Sequence, residues 1–362
     1  VPVILTGQGC TISIDYKTGD LKDPQPLILT PSAKNRDFFY PKINKPILQF
    51  RKGQKVYLAC PGKDNYLKDA GKRQEATAIC VKDKIFSIDG VHRHFSNITC
   101  DFMPKHEARR MKTPCLGQHS SIAIGFQTNN TFLQVMDVCR NDELFETFYV
   151  KFRMIKTIGG YQAAYPSKIL NSTEIAKDSI KQGSQFLSRG HLTAKADFVY
   201  GSQQRSTFWL LNAAPQWQTF NAGNWLSLED SVKNLAITRY LDLDVYTGVH
   251  GQMTMKDARG KQQPIHLHYD GENRIVATPK FFWKIIYDPS SRNGTAFVGL
   301  NDPFIKSVTK KLYLCNDISS KLKWLNWEPK NITLGISYAC TVDSLRKVVP
   351  AIPPLEVDNL LI

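Results

Sequence analysis

The sequence predicts an α+β protein: a smaller β-rich module in front, then a larger domain whose central antiparallel sheet carries a strand, a crossing and a helix on one face. Short alternating apolar segments crowd the front of the chain. Further on, Leu228, Val232, Leu235 and Ala236 repeat at spacings that only a helix puts on one face. Six of the eight cysteines fall before residue 140 and two lie near the C-terminus. That asymmetry proposes two domains, residues 1–117 and 118–362.

In the first domain, Gln49 to Arg51, Lys55 to Cys60, Thr77 to Val81 and Lys84 to Ile88 read as strands between Pro, Gly and Asp turns. The basic segment Lys105 to Lys112 reads equally as a substrate arm or as a solvated loop. Leu133 to Val138 and Phe145 to Met154 follow as strands, Tyr161 to Pro166 as irregular chain, and Ser172 to Gln182 as a short polar helix. Phe186 and Leu187 open a strand, and Ala196, Phe198 and Tyr200 alternate beyond its turn. The apolar run Phe208 to Leu211 leads to the helix, with Asn221 at its start and Gly223 in its first turn. Leu241 to Gly248, Gln263 to Tyr269 and Phe281 to Tyr287 again alternate as strands, and the tail from Pro350 to Ile362, with three prolines, packs as irregular chain.

Composition is ordinary for a globular chain of 362 residues, at 42% hydrophobic and 22% charged. The charge is not: a net +15 and a pI near 9.4 point to a polyanionic partner such as nucleic acid, an acidic glycan or a membrane surface. No run of 18 apolar residues is present, so no spanning helix is expected. The opening Val1-Pro2-Val3 reads as a processed, mature terminus. An even number of cysteines without any Cys-x-x-Cys favours disulfides over zinc ribbons, and sequons at Asn97, Asn129, Asn171, Asn293 and Asn331 agree with a secreted, extracellular protein. Cys315 with Cys340 is the first pairing to expect, because the remaining six would otherwise reach across domains; those six allow 15 pairings among themselves. His92, His94 and His106 near Cys100 and Cys115 fit no common zinc spacing.

Arg189 and His191 stand two apart on a strand and leave the same face. Trp225, Glu229 and Lys233 follow at i, i+4 and i+8, along one helical face that leads back to Asn221. Taken singly, a His is most often structural and an Asn before a helix is most often its cap. Together they form an acid/base and metal constellation suited to phosphodiester hydrolysis. A neutral His can accept the proton of an attacking water. The Asn221 carboxamide offers one oxygen to a hard cation, Glu229 can hold water around that ion, and Arg189 offers a fork to phosphate oxygens.

The string Arg189-Gly190-His191-Leu192, followed by Asn212, Pro215-Gln216, Asn221-x-Gly223-x-Trp225 and Leu228-Glu229-Asp230, closely resembles the DNA/RNA non-specific endonuclease family, whose active site is the ββα-metal or His-Me finger. The resemblance spans roughly residues 118 to 350, and the whole chain looks most like secreted arthropod members, including duplex-preferring ones from crustaceans. It implies that His191 is the general base and that Asn221 is the only protein ligand of a single Mg²⁺, with Mn²⁺ as a substitute. It further implies that Glu229 binds water on that metal and that Arg189 and Asn212 steady the phosphate and the transition state. Gln216 and Lys233 are then substrate-binding positions. The family usually has Asp where this chain has Ser188, and some members have Arg where Lys233 stands. The expectation is a secreted monomer, not bound to membranes, that cuts DNA without sequence preference, duplex DNA first, and leaves 5′-phosphates. The alternatives are a family nuclease directed at double-stranded RNA or indifferent to the sugar, and a non-catalytic polyanion-binding protein.

Overall fold

The computed structural model describes residues 9–362 apart from 16–17, 44, 69, 159–180, 183–184 and 271–272. The loop expected over Tyr161 to Pro166 and most of the helix expected over Ser172 to Gln182 lie outside the described residues. The last two residues of that helix, Lys181 and Gln182, pair instead as a strand with Phe186 and Gln185.

Among the described residues the front of the chain holds seven strands: β1 Cys10–Ser13, β2 Leu27–Leu29, β3 Ile47–Phe50, β4 Lys55–Ala59, β5 Glu75–Lys82, β6 Ile85–Ile88 and β7 Val91–His94. β1 pairs with β3, and the rest form a five-stranded antiparallel sheet in the order β2-β4-β5-β6-β7. Alternate residues such as Val56 and Leu58, or Ala76, Ala78 and Cys80, are buried, which is the period-two pattern legible in the sequence. Cys10–Cys80 and Cys60–Cys100 staple this small module over separations of 70 and 40 residues. Each closure removes about 4 kcal/mol of unfolded-chain entropy in the loop-entropy account.

The remaining strands are β8 His106–Arg110, β9 Ser120–Gln127, β10 Phe132–Asn141, β11 Glu146–Met154, β12 Lys181–Gln182, β13 Gln185–His191, β14 Ala213–Trp217, β15 Leu243–Gln252, β16 Thr254–Lys256, β17 Gln262–Pro264, β18 His266–Asp270, β19 Asn273–Ala277, β20 Pro279–Asp288, β21 Asn293–Leu300 and β22 Ser337–Cys340. Eight of them build the expected central antiparallel sheet, in the order β22-β21-β20-β15-β11-β10-β9-β8. β20 is an almost continuous apolar run because both of its faces are covered. Phe282 and Ile286 join the core that contains Trp225 and Leu228, while Phe281, Trp283 and Ile285 pack with Tyr338 and Leu345 on the other side.

The described residues also depart from expectation in this part of the chain. The division at 117/118 is crossed by the β8–β9 pairing and by the Cys115–Cys139 disulfide, so the change of sheet falls between His94 and His106. The basic segment Lys105 to Lys112 is not a loop: its core is the edge strand β8, with Arg109 over the Phe132 ring and paired to Glu107, and Arg110 paired to Asp142. Gln263 to Tyr269 is two strands in separate hairpins, because Ile265 breaks the run to bond the backbone of Met253 and Thr278. All eight cysteines are paired, Cys315 with Cys340 as expected.

Candidate active site

β13 and β14 form an antiparallel pair in which His191 faces Ala213 and Arg189 faces Pro215. The fully buried Asn301 holds this pair to the central sheet: its side chain accepts from the Trp217 backbone at 2.8 Å and donates to Pro215 and Pro279 carbonyls at 3.1 and 2.9 Å. Between the strands, the alternation of Ala196, Phe198 and Tyr200 belongs to no strand; a 3₁₀ turn at Lys195–Asp197 and a short helix at Gly201–Ser206 take their place. The helix after β14 starts one turn earlier than the apolar pattern suggests, at Gln218, and is continuous to Thr238 except for a break at Gly223 (φ −100°, ψ −121°). That break has a cause in the C-terminal chain. A Cβ on Gly223 would lie 2.8 Å from the Leu334 carbonyl, and the Asn224 side chain donates to the Glu328 and Gly335 carbonyls at 2.7 Å each. Trp225, buried against Phe220 and Phe282, and Leu228, Val232, Leu235 and Ala236 fix the helix to the sheet as the spacing predicts.

Where strand and helix meet, a cavity of about 290 Å³ is lined by Ser188, Arg189, His191 and Asn221, and by Phe186, Thr207, Phe208, Trp209, Leu210, Ala213 and Gln218. The His191 ring stands edge-on to Phe208 with centroids 5.1 Å apart. Burial holds it down at about 4; a hydrogen bond to the Arg189 backbone opposes that, and the nearby charge of Arg189 adds to it. The imidazole is therefore neutral near pH 7, and its Nε2 has no hydrogen-bond partner among the described residues. The Asn221 carboxamide is turned by Ser188, whose Oγ accepts from Nδ2 at 3.3 Å and donates to the Gln216 carbonyl at 2.9 Å. With Nδ2 engaged, Oδ1 accepts no hydrogen bond from the described residues, and a hard divalent cation wants such an oxygen. The residues present thus fit a cation held by one amide oxygen.

The model of the DNA/RNA non-specific endonuclease family matches residues 120–345. The chain belongs to that family. The salivary endonuclease of Lutzomyia longipalpis is 24% identical over 385 residues, covering 99% of this chain and 88% of its own. Salivary protein Tsal2A of Glossina morsitans morsitans is 25% identical over 385 residues, covering 99% and 95%. Among solved structures, a chain of the EndoG/EndoGI complex superposes at a TM-score of 0.41 with 18% identity, over 62% of this chain and 87% of that one. The protein is accordingly an endonuclease with a nucleic-acid substrate, and the family generally depends on a divalent metal.

Not every endonuclease position named from the sequence reaches the cavity. Asn212 is fully buried and its carboxamide is spent: Oδ1 accepts from Thr193 N, and Nδ2 donates to the Thr193 and Thr207 carbonyls, all at 2.9 Å. It braces the turn behind the site and has no polar atom left for phosphate. Gln216 is also fully buried, packed under Gly190, so it offers no surface to substrate. Lys233 pairs with Asp230 at 2.9 Å and is not among the residues lining the cavity. Glu229 lies farther along the helix, outside the cavity lining, facing a charge that sequence reasoning missed. Lys284, 1% exposed in the middle of β20, donates to Thr247 Oγ1 at 2.7 Å and sits 5.4 Å from the centre of the Trp225 ring. Burial pushes Glu229 up to about 8; Lys284 opposes the rise and Asp197 adds to it. A lysine in an otherwise apolar strand was the available signal. Its parity with Phe282 and Ile286 puts it on the helix-bearing face.

Proposed function

We propose that the protein is an extracellular, Mg²⁺-dependent endonuclease that acts as a monomer, cuts DNA without sequence preference and duplex DNA faster than single strands, and leaves 5′-phosphate and 3′-hydroxyl ends. The observation that carries this reading is the neutral, unpartnered Nε2 of His191 in the same cavity as the Asn221 carboxamide. His191 takes the proton of the attacking water as the new P–O bond forms. Arg189, whose side chain also lines the cavity, steadies the phosphate oxygens. A divalent ion on Asn221 would supply positive charge where the phosphorane and leaving oxygen build negative charge; Mn²⁺ suits the same oxygen donor. Glu229 is assigned to ordering water around that ion. Because His191 acts on water, the 2′-hydroxyl has no part, and RNA is a chemically acceptable second substrate. Four disulfides and the salivary names of the relatives support an extracellular setting, and the resemblance to crustacean members supports the duplex preference.

Incubating plasmid DNA with the protein, with and without EDTA, tests the reading. Cleavage with 5′-phosphate ends, stopped by EDTA and restored by Mg²⁺, is expected. Binding without cleavage in Mg²⁺ would make the protein a polyanion binder, and EDTA-resistant cleavage would remove the metal.

A further inference from the structure

Half of the cavity wall is apolar, and hydrolysis gives it no work. Ser188, Arg189, His191 and Asn221 supply polar lining; Phe208, Trp209 and Leu210 supply apolar lining. Leu210 is 67% exposed, an open hydrophobic side chain at the rim of a site that must hold a polyanion. This stretch is held in place from several directions. The Trp209 indole N–H donates to Nδ1 of His106 at 2.8 Å, and the two rings meet at 71°. His106 stands in turn edge-on to Phe126 of β9. Thr147 Oγ1 donates to the Leu211 carbonyl at 2.9 Å, and the Asn212 carboxamide ties down the Thr207 carbonyl at the other end. The indole's one polar group is thus satisfied away from substrate, and what remains toward the cavity is apolar surface on a fixed backbone.

We propose that Trp209 and Leu210 form a contact site for the nucleobase next to the scissile phosphate, an inference that rests on the nuclease reading above. A nucleic acid brings two kinds of surface into the cavity: charged phosphate and sugar oxygens, which the polar side takes, and the flat faces and apolar edges of its bases. Base contact with an apolar or aromatic wall tolerates every sequence, since every base has a π face. The site therefore gains binding without gaining base specificity.

The test uses the full chain and oligonucleotides carrying one cleavable linkage, the others being blocked, with a base or an abasic residue beside that linkage. Wild-type protein is expected to lose roughly tenfold in kcat/KM when the adjacent base is missing, and nothing when the abasic residue lies several nucleotides away. Leu210→Ala, at an exposed position where folding is not at stake, should lose several-fold on the intact substrate and show a smaller penalty for the abasic one. Equal wild-type rates on intact and abasic substrates would overturn the base contact while leaving the nuclease standing. An undiminished abasic penalty in Leu210→Ala would overturn the assignment to this wall, and absence of cleavage on every oligonucleotide would take away both readings.

Discussion

His191 and Asn221 have one nitrogen and one oxygen without a partner among the described residues, and the Asn221 amide is aimed by Ser188, which is itself engaged. Replacing His191 by Ala should lower kcat about 10² to 10⁴-fold with little change in DNA affinity, because the lost group acts on water. Cleavage assays and binding in EDTA check the two halves. The pH dependence has a definite sign. A base held at about 4 stays deprotonated from neutrality down to roughly pH 5, so kcat/KM should hold over that range and fall only as pH drops through about 4. A limb near 6.5 would mean the ring is not desolvated. Ser188→Ala should raise the Mg²⁺ concentration needed for half-maximal rate about 10- to 100-fold, since the amide is then free to turn its nitrogen toward the ion. An unchanged metal requirement would leave Ser188 with only its bond to Gln216. At this scale the sequence was most legible where spacing alone fixes a side chain: Arg189 and His191 on one strand, Asn221 ahead of Trp225 and Glu229. It was least legible for Asn212 and Gln216, whose polar atoms could be assigned to substrate only while their burial was unknown.

Elements meet at positions where one extra carbon matters. A Cβ on Gly190 would sit 2.3 Å from Oε1 and 2.6 Å from Cβ of the fully buried Gln216, and 3.0 Å from the Ala214 carbonyl. Gly190→Ala should therefore cost about 1–3 kcal/mol in urea unfolding and reduce activity as β13 shifts. An unchanged midpoint would show that the strand pair has slack. Between helix and sheet the pressure is electrostatic. Folded Glu229 keeps its proton up to about 8, whereas the unfolded chain releases it near 4.5. Its contribution to stability is thus complete below the unfolded value and is lost as pH rises through 8. Glu229→Gln should raise the Tm relative to wild type more at pH 8 than at pH 5, measured in EDTA. Equal shifts at the two pH values would show that the carboxyl is better solvated than its surroundings imply.

Across the whole molecule, the net charge of +15 implies diffuse attraction to phosphates, but fewer cations are available than the sequence suggests. Arg109, Arg110 and Lys233 already have acidic partners. If about six phosphates are still neutralised, DNA affinity should fall roughly 10³-fold between 50 and 200 mM salt. A flat slope would remove the electrostatic account. The front module is also bound into the nuclease part. Phe38 stacks on Tyr200 and meets Phe126 edge-on, the Tyr200 hydroxyl donates to the Phe39 carbonyl, and Gln203 donates to the Tyr40 hydroxyl. Those contacts fall on the segment that leads into the cavity wall, so the front module steadies one side of the site from outside the family-matched region.

The sequence alone determined much of the strand alternation, the helix face, the even cysteine count that goes with four disulfides, and the motif that marks the family. All of these are periodic or compositional and depend on neighbours a few positions away. The tertiary structure decided what each polar atom is already doing. Whether the Asn212 carboxamide is spent on Thr207, whether Arg110 pairs with Asp142, and whether Glu229 has Lys284 as a neighbour depends on groups five to several tens of residues away. A hydrogen bond or ion pair reaches only a few ångströms in space, and no sequence spacing encodes that distance.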